Sequence, residues 1–362
     1  MTEGFTIGVE EEFCIVDAGT GELRPLGEQV LPLAKEALDG QVEAELNRSQ
    51  IETGSQVCTT LGEVRADLER LRRLLREAAG RAGCSVVSAG THPTASPEDS
   101  SINPSKERYR RLEHEYQAVA REQLVNGCHV HVGIPDRDLA IDVLNRTRPW
   151  LPTVVALAAN SPFWAGADSG YASYRTEVWT RWPLTGIPAP LASRAEFDGL
   201  VSALQAVEAL ADATFLYWDV RPSARYETLE FRAADACLTV DDAVLVAGLW
   251  RAVARTCAAE AEEDIPPPQL RGELLQAARW RAARYGVEGT LVDLGEGRTA
   301  PAREVVDGLL LHLRPALEED GDWDEVSALV ERALAGGNGA VRQRAALARR
   351  GDIADVLELL LR

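Results

Sequence analysis

Apolar and polar residues alternate in several short stretches of this chain, the period-two pattern of strands with one buried face. In 5–16, Ile7, Val9, Phe13 and Ile15 share one side, while Gly8, Glu10, Glu12 and Cys14 share the other. In 42–47, Val42, Ala44 and Leu46 oppose Glu43, Glu45 and Asn47; in 50–58, Ile51, Thr53 and Val57 oppose Gln50, Glu52 and Gln56. In 127–134, Cys128, Val130, Val132 and Ile134 oppose His129 and His131, and in 226–233 Leu229 and Phe231 oppose Thr228, Glu230 and Arg232. Segments 84–89 and 215–221 also read as strands. Helical spacing predicts helices over 62–82, 105–125, 137–158, 194–213 and 240–262. These do not form a regular strand–helix–strand series, so an α+β fold with a mainly antiparallel sheet is expected.

The Ile265-Pro266-Pro267-Pro268 run breaks the pattern. Beyond it only helices are expected, over 269–285, 301–318, 323–336 and 340–361, which divides the chain into an α+β body, 1–264, and a helical C-terminal section, 265–362, packed on it. Two Gly-, Pro- and Ser-rich connections stand out, 92–104 and 159–192; the second also carries several Trp, and its length suits a segment that covers a site.

Composition narrows the function. A net charge of −19 over 362 residues argues against nucleic acid, whose binding needs a basic footprint. No apolar run reaches the roughly 18–20 residues of a membrane span, and the Met-Thr-Glu-Gly-Phe start lacks the marks of a secretion signal, so a cytoplasmic protein is expected. The six cysteines form no CxxC pair and read as reduced, buried thiols. Only Lys35 and Lys106 are lysines and no P-loop is present, so cationic contacts to an anionic substrate fall mostly to arginine.

The strand fronts hold the candidate chemistry. A half-exposed sheet facing solvent would show the same alternation. Yet if the strands share one sheet, Glu10, Glu12, Glu45, Glu52 and Glu230 fall on one surface. Two carboxylates ~5 Å apart repel by about 3 kcal/mol at an effective dielectric near 20. Such a cluster protonates, splays or binds cations, and oxygen ligands with a histidine suit Mg²⁺ or Mn²⁺. His129 and His131 also read as hydrogen-bonded inner-sheet histidines; His92 and His114 read as solvated. Glu11 falls on the apolar side and needs a buried partner, an arginine being the first candidate, or a bulge. Glu45 and Glu52 share a face only if Asn47-Arg48-Ser49 turns the chain into a hairpin.

At these same residues the sequence resembles the glutamate–cysteine ligase type 2 family, the carboxylate–amine ligases. The resemblance runs over roughly 5–290 through Gly8-Val-Glu-Glu-Glu-Phe13, the Glu45/Glu52 pair ahead of Cys58, Gly90-Thr-His-Pro93 and Cys128-His-Val-His-Val-Gly133. It continues through Ala159-Asn-Ser-Pro-Phe-Trp164, Gly170-Tyr-Ala-Ser-Tyr-Arg175, Arg181-Trp-Pro183, Trp218-Asp-Val-Arg-Pro-Ser223, Thr228-Leu-Glu-Phe-Arg232 and Arg279-Trp-Arg-Ala-Ala-Arg-Tyr-Gly286. It implies a fold like that of glutamine synthetase, a curved antiparallel sheet with helices behind and a funnel in front. It also implies an ATP-dependent reaction in which a carboxylate becomes an acyl phosphate and an amine then forms the amide. Carried over by position, Glu10, Glu12, Glu45, Glu52, His129 and Glu230 are implied as metal ligands. Arg232 and Arg221 are implied as phosphate contacts, with Arg232 and Glu52 as the catalytic pair. Arg175 and Arg181 are candidates for holding a substrate carboxylate. Ala277 and Ala278 stand before Arg279-Trp280 where a polar residue is expected, so nothing catalytic is placed in the tail. A guanidino-kinase-type phosphotransferase and a non-catalytic nucleotide-binding protein are the alternative readings, and a homodimer is an expected assembly.

Overall fold

The computed structural model describes residues 5–362. Its centre is a seven-stranded sheet built from β1 (Ile7–Val16), β2 (Val42–Ala44), β3 (Gln50–Gly54), β4 (Ser85–Val87), β5 (Gly127–Gly133), β6 (Val220–Pro222) and β7 (Thr228–Asp235). The order is β6-β7-β5-β1-β3-β2, with β4 beside the far end of β1, and every pairing is antiparallel.

The back of the sheet is apolar. Ile7, Val9, Val130, Val132, Leu229 and Phe231 are buried there in one cluster with α8 (Val240–Glu262). The Phe231 ring lies flat on Trp250 of that helix, centroids 4.5 Å apart. Phe13, Ile15, Ile51 and Val86 form a second cluster with α1 (Gly27–Ala37) and α2 (Leu61–Arg81). Thr60 and Glu63 cap the start of α2 reciprocally. Gly248 lets neighbouring helices approach closely: a Cβ there would stand 2.7 Å from Val326 and 2.9 Å from Leu61. Glu11 does point into this interior, and its partner is Arg72 of α2, bound through two hydrogen bonds of 2.5 and 3.0 Å.

Several elements are shorter or more broken than the periodicity predicts. The strand expected over 42–47 ends at Ala44, and β3 ends at Gly54, leaving Val57 exposed rather than on the apolar side. The helix over 105–125 is α3 (Glu107–Tyr116), stopped where Gln117 takes a positive φ. The helix over 137–158 is two, α4 (Arg137–Thr147) and α5 (Leu151–Ala158), split around Pro149. Connection 159–192 contains a short hairpin and α6 (Tyr174–Trp179); α7 (Arg194–Ala206) follows. His92 is buried, with Nε2 2.8 Å from the Gly21 carbonyl, whereas His114 is exposed.

Past the prolines, α9 (Gly272–Tyr285) leads into a hairpin of β8 (Thr290–Asp293) and β9 (Arg298–Pro301), which the all-helical expectation missed. The remainder is α10 (Ala302–Asp320), α11 (Trp323–Gly336), α12 (Gly339–Arg350) and α13 (Ala354–Leu361). Gly351, at φ +73, separates the last two in a left-handed conformation that a glycine adopts without strain. Val306, Leu309 and Val330 belong to the same apolar cluster as Val130 on the sheet. All six cysteines are free and buried, and no described helix is long and apolar enough to cross a membrane.

Candidate active site

The front of the sheet opens into a cavity of about 800 Å³. Strand pairing places its charged residues in rows. Glu12 of β1 pairs with Glu52 of β3, which pairs on its other side with Glu43. Glu10 pairs with His129 of β5. His131 pairs with Glu230 of β7, which pairs with Arg221 of β6. Alternation keeps each of these residues on the side away from the apolar back. Glu45 joins them from beyond the end of β2, because Asn47 turns the chain as the hairpin requires. Asn47 is fully buried; its N–H and Nδ2 both donate to Gln50 Oε1 at 3.1 Å, and its Nδ2 also donates to the Gln123 carbonyl at 2.7 Å. Tyr109 of α3 donates to Glu45 at 3.3 Å.

Two groups of side chains come close enough to share an ion: Glu10, Glu52 and His129, and Glu10, His131 and Glu230, each with ligand atoms within 4.8 Å of one another. Glu10 belongs to both. Its carboxylate lies 3.3 Å from His129 Nδ1 and 3.4 Å from His131 Nε2. Glu12 lies 3.9 Å from His129 Nε2 and accepts a 2.6 Å hydrogen bond from the Gly127 N–H. A Cβ at Gly127 would crowd the Arg175 guanidinium and force it to shift.

Burial and mutual repulsion dominate the electrostatics. Burial, then the charge of Glu45, pushes the Glu12 carboxyl up to about 8. Burial followed by Glu10, Glu45 and Glu12 holds Glu52 well above the usual carboxylate range, and burial raises Glu45 as well. Glu10 and Glu230 go the other way. Burial opposes ionisation in both, but the two histidines keep Glu10 well below its ordinary value, and Arg232 and Arg221 keep Glu230 there. His129 is brought down to about 4, first by burial and then by Arg232, so its imidazole is neutral and available as a ligand at pH 7. His131 is buried too, yet Glu10 and Glu230 hold it above the usual histidine value.

The residues fit a divalent ion. Hard carboxylate oxygens with an imidazole form a magnesium or manganese donor set. His131 Nε2 is buried without a hydrogen-bond partner, and burial and repulsion together keep Glu12 and Glu52 from ionising unless a cation joins them. His131 is the member that the sequence reading left out of the ligand set. Its signal was present, since it shares a strand face with His129 two residues away.

The arginines divide. Arg232 sits in a bulge, where Phe231 pairs with Val130 but Ala234 pairs with Cys128. It is paired with Glu230, and its Nε is buried without a partner at the cavity. Arg175 enters from α6, donates to the Arg232 and Ala233 carbonyls at 3.2 and 3.4 Å, and also keeps a free buried Nε. Arg221 is already engaged. It grips Glu230 at 2.9 and 3.1 Å and donates to the Thr214 and Leu216 carbonyls at 2.7 Å each. That geometry suits orienting Glu230 more than reaching a phosphate. Arg181 is not brought to the cavity: it pairs with Glu122 on a partly exposed surface.

The chain matches the model for glutamate-cysteine ligase family 2 over residues 6–359. A protein of Frankia alni named "Putative glutamate--cysteine ligase 2-2" is 47% identical over 100% of this chain and 97% of its own length. One of the same name from Mycolicibacterium smegmatis is 43% identical over 98% of this chain and 89% of its own. Another, from Frankia casuarinae, is 46% identical over 98% of this chain, which spans only 41% of that longer protein. Among solved structures, a glutamate–cysteine ligase from Francisella tularensis in complex with AMP superposes with a TM-score of 0.71 at 13% identity, over 99% of this chain and 87% of that one. A bifunctional glutathione synthetase from Pasteurella multocida gives 0.69 at 17% identity, over 99% of this chain and 52% of that one. At such identities the structural likeness is one of fold.

Proposed function

The chain belongs to glutamate–cysteine ligase family 2, and on that footing we propose that it is an ATP-dependent carboxylate–amine ligase working through an acyl phosphate. The observation that carries this reading is the row of Glu10, Glu52, His129, His131 and Glu230 in two ligand groups on one sheet face, with Arg232 beside them. Glutamate as the acid and cysteine as the amine are the proposed substrates, after the names of the relatives.

Glu10, Glu52, His129, His131 and Glu230 would hold magnesium or manganese, with Glu12 and Glu45 beside them. The ions would neutralise the nucleotide phosphates, whose roughly four negative charges no bare carboxylate cluster could admit. Arg232 is the residue placed to meet the transferring phosphoryl oxygens, with its free Nε and fixed fork. Arg221 holds Glu230 in place. Arg175 is the proposed contact for a substrate carboxylate, at the enclosed end of the cavity. No covalent enzyme nucleophile is needed, because the acid is activated by the phosphoryl group itself. A cytoplasmic homodimer completes the proposal.

The test is a coupled ADP-release assay over acid–amine pairs, beginning with glutamate and cysteine. ADP should form only when both an acid and an amine are present. Glu52→Gln and Glu230→Gln should each lower turnover by at least ~100-fold, as loss of charge-stabilising groups does. ADP release untouched by either change, or many turnovers to a stable phosphorylated end product without amine, would overturn the ligase reading.

A further inference from the structure

The cavity differs at its two ends. Beyond Glu12 it is closed in by Arg175, Gln123 and Trp182, which are 3%, 2% and 3% exposed. It opens on the Glu52 side, where Gly40 and Glu43 are exposed and no exposed ring lines it, and beyond His131 at the turn between β6 and β7, where Ala224, Arg225 and Tyr226 are exposed. This turn is braced. Buried Ser223 donates its N–H to the Thr228 carbonyl at 2.9 Å, and its Oγ accepts the N–H groups of Arg225 and Tyr226 at 3.3 and 3.2 Å. Tyr226 is 57% exposed, and its ring stands edge-to-face with His131 at a centroid distance of 5.8 Å. The Arg225 guanidinium has no ion pair or hydrogen bond among the described residues, and neither does the Tyr226 hydroxyl.

An acyl phosphate survives only where water is kept out, so the acid belongs at the closed end. The triphosphate then lies over the acidic rows, and the base of the nucleotide extends to the opening beyond His131, the one with an exposed ring. We infer that Tyr226 is the platform on which that purine base stacks, with Arg225 the cation beside the ribose and phosphates. A rigid aromatic face at the mouth, next to an uncommitted arginine, is the chemistry that holds a base without reading its edges. This assignment rests on the ligase reading above.

Calorimetric titration of the whole protein with magnesium-ADP and, separately, with magnesium tripolyphosphate tests it, the second probe having phosphates but no base. Tyr226→Ala should weaken magnesium-ADP by about tenfold, in keeping with loss of one stacked base, and leave tripolyphosphate affinity in place. Tyr226→Phe should keep the wild-type affinity for both. Unchanged ADP affinity in Tyr226→Ala would overturn the inference. So would a parallel loss for both probes, because Tyr226 would then act only by supporting His131. A wild-type protein that binds neither probe would sink the ligase reading together with this one, and that failure shows before any variant is made.

Discussion

Glu12 and Glu52 are carboxyls that the fold keeps partly protonated near neutrality, and this has a measurable sign. A carboxyl whose folded pKa is raised contributes stability that is lost as pH rises through the folded value. His131, also raised, acts in the same direction. For Glu12 the loss starts at the ordinary carboxylate value of 4.5 and ends near 8; from 6.5 to about 8 His131 adds to it and the lowered His129 no longer opposes it. The metal-free protein should therefore lose thermal stability between those limits, and magnesium should restore more at the upper one than at the lower. Melting curves at both pH values, with and without magnesium, check this. A magnesium effect equal at the two would contradict the assigned shifts. Glu10, Glu12, Glu52 and Glu230 were all legible by alternation alone, because burial of the opposite side leaves no other face for them. Arg181 was not, since nothing in its own sequence tells a cavity arginine from one paired with Glu122.

At the level of elements, one buried pair reinforces the apolar packing that joins β1 to α2. Arg72 holds Glu11 and also donates to the Cys237 and Leu238 carbonyls at 2.8 and 3.2 Å, so it ties a strand, a helix and the chain after β7 together. Arg72→Met leaves Glu11 buried and alone, which should lower unfolding stability by about 3–5 kcal/mol. Adding Glu11→Leu should recover part of that, and urea denaturation of the two single variants and the double reads the coupling. The need for an arginine opposite Glu11 was legible in the sequence; its position 61 residues away was not. Strand existence was likewise legible, but ends were not. Pro149 and a positive φ at Gln117 cut helices whose apolar spacing runs on through the break. The helix α1 went unseen, with Pro32 inside it and a turn-rich stretch before it. The hairpin β8–β9 has four residues a side, too few for alternation to show.

Across the whole molecule the C-terminal section is wired to the sheet through polar contacts as well as the shared core. Arg279 of α9 binds Asp219 at 2.5 and 3.0 Å, next to the bulge that carries Arg232. Gln343 of α12 donates to Asn160 Oδ1 at 2.7 Å, and Asn160 in turn donates to the Ala236 carbonyl at 2.7 Å. We therefore propose residues 265–362 as a brace for the catalytic body. Scanning calorimetry should show a single unfolding transition, and Arg279→Ala should lower its midpoint without splitting it. Two resolved transitions would mean that the sections fold independently.

The one extra residue between Phe231 and Ala234 has an effect beyond its own strand. If strict alternation ran on from Glu230 to Asp235 with every residue kept and no bulge, Asp235 would fall on the opposite side from Glu230 and Arg232. With the bulge, Asp235 turns toward the loop that brings in Arg175, where it accepts the Asn160 N–H and the Ser161 and Ser173 hydroxyls at 2.7, 2.7 and 2.8 Å. Straightening the strand there while keeping every residue would thus swing the loop's anchor into the hydrocarbon interior. The grip on the acid and the grip on the phosphoryl group would fail together, from a change that removes no residue assigned to either.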